Sequence, residues 1–91
     1  MRVTIRLFAR LREIAGAGEM TREVTPGATI GGIWRELAAE FPALAPYERS
    51  ISSAVNLEYA RMEAEVRDGD EVAFLPPVSG GRSGETNGVI W

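Results

Sequence analysis

The chain has 91 residues and a net charge of −3, with ten Arg, two Asp and eleven Glu but no Lys, His or Cys. That length holds one small domain, and the acidic balance argues against non-specific nucleic-acid binding. The missing residue types exclude disulfides, thiolate nucleophiles, Ser-His pairs, structural zinc, Schiff bases and a P-loop lysine.

Small exported domains are commonly disulfide-bonded, so a chain without Cys is expected in the cytoplasm. The first eight residues are too short and too charged for a signal peptide. No apolar run approaches the roughly 20 residues that span a bilayer.

Val3, Ile5 and Leu7 alternate with Arg2, Thr4 and Arg6, which predicts a half-buried strand. Phe8 falls on the polar side of this alternation. Residues 9–14 read as a short helix, stopped by Gly16 and Gly18. Residues 20–25 alternate weakly as a second strand, ending at Pro26-Gly27.

Ile30, Ile33, Trp34, Leu37, Ala38 and Phe41 then form one apolar stripe at helical spacing. Thr29 is the expected N-cap and Pro42 the stop. Gly31 and Gly32 are poor helix formers, which suggests close approach to a strand. Trp34 is expected in the core. Residues 43–50 read as an irregular connection.

Residues 51–55 are apolar enough for a strand. Asn56-Leu57 is a turn, although Leu57 stands where Gly would be easier, and residues 58–60 form the return strand. Asp68-Gly69 is a tight turn before a last strand, residues 71–75, which Pro76-Pro77 ends. The order of elements predicts an α+β fold, a mixed four- to five-stranded sheet with one long helix on one face.

Charge is uneven along the chain. Residues 1–12 carry four Arg and no acid (+4), and residues 62–81 carry five acids against Arg67 (−4). These segments are expected to be neighbours. Asp68 and Asp70 flank a glycine and lack companion metal ligands, so they read as turn-forming residues.

The segment most informative about chemistry is Asp68-Gly69-Asp70-Glu71-Val72-Ala73-Phe74-Leu75-Pro76-Pro77-Val78-Ser79-Gly80-Gly81. Two prolines favour an extended, stiff segment. Two glycines then make a thin end that lets backbone approach a reactant. Gly-Gly alone is common, but this whole run resembles the small-subunit family of molybdopterin synthase, sulfur carriers of the ubiquitin-like β-grasp fold. Leu7-Phe8-Ala9, Leu11-Arg12-Glu13, Gly16, Ala54-Val55-Asn56 and Glu58-Tyr59 support the resemblance, which covers residues 1–81.

The resemblance implies a β-grasp domain over residues 1–77, a functional arm over 78–81 and a flexible extension over 82–91. It implies that the Gly81 carboxylate, beside Gly80, is adenylated by an activating enzyme using ATP. A sulfur donor then converts it to a thiocarboxylate. The sulfur passes to cyclic pyranopterin monophosphate in the large subunit of a heterotetrameric synthase, forming molybdopterin.

The chain itself is then a non-catalytic donor that binds no cofactor and no metal. Partner contact is expected on the sheet face opposite the long helix, through Phe8 and Leu75, with Arg12 and Phe74 near them. Leu75 departs from the Phe often found there. Pro76, Pro77, Val78 and Ser79 complete the contact set.

One departure stands out. In this family the second glycine ends the chain, whereas here residues 82–91 follow. Three readings compete: a precursor cut after Gly81 by a protease, part of a fusion or a cloning remnant, or a permanent tail on an uncharged interaction paralogue. A rival function is a ubiquitin-like modifier joined to other proteins through Gly81. The absence of Lys forbids lysine-linked polymers of this chain with itself.

Overall fold

A computed structural model describes residues 1–77, so the expected arm at 78–81 and extension at 82–91 lie outside the described residues. Five strands form one mixed sheet: β1 (Arg2–Leu7), β2 (Glu19–Glu23), β3 (Ser52–Val55), β4 (Glu58–Tyr59) and β5 (Glu71–Leu75). Their spatial order is β2-β1-β5-β3-β4. The central β1–β5 pair is parallel and the other pairs are antiparallel. Helix α1 (Ala9–Ala15) follows β1, and the long helix α2 (Ile30–Glu40) follows β2. This is the α+β arrangement that the order of elements predicted, and the β-grasp fold that the resemblance implied.

The alternation in β1 becomes burial. Val3, Ile5 and Leu7 are buried against Ile30, Ile33, Trp34 and Leu37 of α2, with Val72 and Phe74 beside them. Trp34 and Phe74 meet at 5.0 Å between ring centroids with a 56° tilt, an arrangement that favours ring edges against faces.

The start of α2 shows how a local signal and a tertiary contact divide one task. A helix leaves its first amides without intrahelical acceptors. The Thr29 hydroxyl accepts from the Gly32 amide at 3.0 Å, as its place before the apolar stripe predicted. The Ile30 and Gly31 amides instead donate to the carbonyls of Ala64 and Met62, at 3.0 and 2.8 Å.

Gly31 therefore lies against the connection before β5, and not against a strand as expected. A Cβ there would sit 3.2 Å from the Met62 carbonyl oxygen. Thr29→Ala is expected to lower stability by about 1 kcal/mol, read as a lower urea midpoint at unchanged slope.

Three further points differ from or sharpen the sequence reading. Residues Pro42–Tyr47 form a 3-10 helix whose Leu44 is fully buried, where an irregular connection was expected. Pro42 supplies the first turn, which needs no amide from it. Asn56 and Leu57 both have positive φ (52° and 74°) between the paired residues Val55 and Glu58. This is the geometry of the two-residue turn that matches strand twist. Leu57 accepts the strain of a side chain in that region, and its side chain remains in solvent.

The expected meeting of basic and acidic ends is present. Arg6 pairs with Glu71 at 3.0 Å across β1 and β5. Around the turn before β5, the Asp68 carboxylate accepts from the Arg2 amide at 2.8 Å, and the Gly69 amide donates to the Arg2 carbonyl at 2.7 Å. Other arginines find different partners: Arg2 pairs with Glu23, and Arg10 with Glu13.

Candidate functional site

The candidate site is the sheet face opposite α2 together with the end of β5. Strand register determines which side chains share this face. Glu19, Arg6, Ala73, Ala54 and Tyr59 lie in one row across all five strands. Leu75 is paired with Ser52 on the same face, one pleat farther along β5. The middle of the row is held by two alanines with almost no exposed surface, flanked by Arg6 and by Tyr59, which is 70% exposed. Ala73 and Ala54 are closed to solvent, so the row offers a partner the side chains at its flanks.

Phe8 does belong to this face, though not as a strand residue. It precedes α1 with extended backbone (φ −122°, ψ 153°), so its side chain continues the alternation of Arg2, Thr4 and Arg6. The Arg6 guanidinium carbon lies 5.5 Å from the centre of the Phe8 ring, a cation-π contact. Ala9 then turns the chain with φ 52°, an uncommon conformation for a residue with a side chain. That turn ends the strand direction immediately after Phe8.

The other anticipated contact residues divide. Leu75 and Pro76 are half-buried and Pro77 is exposed, so the end of β5 presents an apolar ledge. Arg12 is exposed on α1, and its side chain runs alongside Gly18, where a Cβ would lie 3.2 Å from both its Cδ and its Nε.

Phe74 requires a correction. Its ring is fully buried against Trp34 on the helix side of the sheet, so it offers no side chain to a partner. The strand pleat sends Ala73 and Leu75 to one face and Phe74 to the other. Val78, Ser79, Gly80 and Gly81 lie outside the described residues.

The start of β5 is held by side chains that the motif alone did not explain. The Asp70 carboxylate accepts from the Arg67 amide at 2.8 Å and from the Asn56 side-chain amide at 3.1 Å. The Asn56 side-chain oxygen accepts from the Glu71 amide at 3.0 Å. Asp70 thus organises its turn, and Asn56 ties the β3–β4 hairpin to the strand that leads to the glycines. Asp68 is engaged with β1. Among the described residues no group of three or more acidic, His or Cys side chains is placed to hold a metal ion, and no helix is long and apolar enough to cross a membrane.

Sequence reasoning missed Arg6, Ala54, Ala73 and Tyr59 as parts of this face. Arg6 carried a usable signal, because it shares the alternation phase of Phe8. The alanines carried none, since only the pairing of β3 with β5 places them side by side.

The ThiS family model matches residues 5–81. The molybdopterin synthase sulfur carrier subunit of Chlamydomonas reinhardtii is 39% identical over 83 residues, covering 89% of this chain and all of that protein. The protein of the same description from Arabidopsis thaliana is 37% identical over 79 residues, covering 87% of this chain and 82% of its own. Among solved structures, the small archaeal modifier protein 1 of Haloferax volcanii superposes with a TM-score of 0.73 at 31% identity, over 85% of this chain and 98% of that one.

Proposed function

The chain belongs to the ThiS family, and on that premise we propose that it is the sulfur-carrier subunit of a molybdopterin synthase, acting through Gly81. One observation carries this reading: the family match runs to Gly81 and stops there, at the second glycine of the motif. The named relatives in Chlamydomonas reinhardtii and Arabidopsis thaliana support the particular pathway.

In this proposal residues 82–91 are removed to free the Gly81 carboxylate. The carboxylate attacks the α-phosphorus of ATP in an activating enzyme, releasing pyrophosphate and leaving an acyl-adenylate. A sulfur donor displaces AMP, and the resulting thiocarboxylate is carried to the large synthase subunit. There it gives its sulfur to cyclic pyranopterin monophosphate.

The chain contributes position, and its partners contribute catalysis. The row Arg6–Ala73–Ala54–Tyr59, with Phe8, Leu75, Pro76 and Pro77, is the docking surface. Arg12 lies at its margin. Val78 and Ser79 complete the arm, and Gly80 and Gly81 enter the partner's active site. Two residues without side chains allow that entry at little steric cost.

Intact-mass measurement on protein isolated from its own cells tests the proposal. The expected species ends at Gly81, with a fraction heavier by about 16 Da from exchange of oxygen for sulfur. A single 91-residue species in cells that make molybdopterin would overturn it.

The likeness to an archaeal modifier protein supports a second reading, in which Gly81 is also joined to amines of other proteins. Adducts of higher mass that carry this chain, found in the same cells, distinguish it.

A further inference from the structure

We infer that Arg6 and Glu71 form a self-neutralised ion pair at the centre of the docking face, and that the large-subunit surface lying over the pair is uncharged. The inference rests on the carrier reading, which supplies the docking event.

Docking takes the centre of a face out of water, and an ion buried there without a counter-charge is costly. Arg6 occupies that centre, level with Glu19 on β2 and with Ala73 on β5. Either a partner brings a carboxylate to it or the chain supplies its own. Glu71 supplies it: Arg6 Nη1 donates to Glu71 Oε2 at 3.0 Å. Glu71 is level with Thr4, so the pair runs diagonally from β1 to β5 across the open face.

Three observations fit this pair to a dehydrated setting. First, it is already partly withdrawn from water. The side chains of Arg6 and Glu71 are 42% and 34% exposed, against 70% and 68% for Arg2 and Glu23 on the same face. The Arg6 Nε is buried and has no hydrogen-bond partner among the described residues. Second, the Arg6 guanidinium carbon lies 5.5 Å from the centre of the Phe8 ring, so the cation rests against an apolar member of the docking face. Third, the counter-charge is held in place. The Glu71 amide donates to the Asn56 side-chain oxygen at 3.0 Å, and the Asn56 side-chain amide donates to Asp70 at 3.1 Å.

The pair limits what can lie over it. A partner carboxylate placed on Arg6 would also stand beside Glu71, and like charges brought together at an interface repel. Neutral acceptors, such as backbone carbonyls, can take the guanidinium N–H groups that Glu71 leaves unused. An uncharged surface carrying such acceptors is the chemistry that this centre admits.

A double-mutant cycle on docking tests the inference. The chain ending at Gly81 and its Arg6→Met, Glu71→Gln and doubly substituted variants are titrated into the purified large subunit by calorimetry. Urea midpoints, compared with that of the 91-residue chain, check that each variant is folded. Met keeps an apolar stem against Phe8, and Gln keeps the shape of Glu. Each single substitution leaves one charge alone under the partner and is expected to weaken docking by at least about tenfold, whereas the double variant recovers to within about threefold of the unsubstituted chain. The midpoints are expected to change little and additively, because a half-exposed pair contributes little to folding.

Unchanged or tighter docking of Glu71→Gln overturns the inference and points to a partner carboxylate over Arg6. A double variant no better than the weaker single variant also overturns it. So do midpoints that show the same coupling as docking, since the pair would then serve the fold. In all these cases the unsubstituted chain still binds and the carrier reading stands. Absence of binding by the folded, unsubstituted chain overturns the carrier reading and the inference with it.

Discussion

Deleting Gly81 from the chain that ends there is expected to reduce sulfur delivery by at least about 100-fold, since even a 1 Å misplacement of a reacting group can cost that much. The deletion retracts the reacting carboxylate by about 3.3–3.6 Å, one extended residue. Stability is expected to be unchanged, because the buried core among the described residues ends at Phe74. Molybdopterin formation in the reconstituted synthase checks the first expectation, and the urea midpoint checks the second. Activity above a tenth of the full-length value would falsify the assignment of Gly81 as the reacting end. A lowered midpoint would show that the arm also supports the fold.

Replacing Phe74 by Ala is expected to destabilise the chain by about 3–5 kcal/mol, the range for deleting a large buried ring. The ring is fully buried, it touches Trp34, and it sits on the central strand between β1 and β3. Small domains have total stabilities of about 5–15 kcal/mol, so this single change consumes much of the margin. Phe74→Leu keeps most of the volume and is expected to cost less than the Ala change. Urea unfolding followed by Trp34 fluorescence reads both variants. A loss below about 1 kcal/mol for Phe74→Ala, well under that cavity range, would contradict this packing and place Phe74 at the surface.

The motif around Phe74 shows where sequence reasoning worked and where it stopped. Asp68-Gly69-Asp70 is legible as a turn, and Pro76-Pro77 as the end of a strand, because both depend on local backbone preferences. Phe74 and Leu75 are neighbours in a run of apolar residues, and that run does not state which one faces the helix. Register with Leu7 and Ser53 decides it: Phe74 goes inward and Leu75 outward. From the sequence both read as partner contacts, because a continuous apolar strand gives no alternation to read. Phe8 was the opposite case. An aromatic residue on the polar phase of a clear alternation is itself a signal, and the structure places it beside Arg6 on the open face.

Determinants that lie within a few residues of one another were settled by the chain alone. These are the β1 alternation, the α2 stripe with its Thr29 cap, and the Asn56-Leu57 and Asp68-Gly69 turns. Tertiary structure decided everything that depends on pairing across the chain. It placed Gly31 against the Met62 carbonyl, tied Asn56 to Asp70 and Glu71, and lined up Arg6, Ala73, Ala54 and Tyr59. The physical reason is the same throughout. Propensities and caps act over a few residues, whereas strand register and helix docking are chosen by the burial of side chains far apart in the chain, and only the assembled core selects among them.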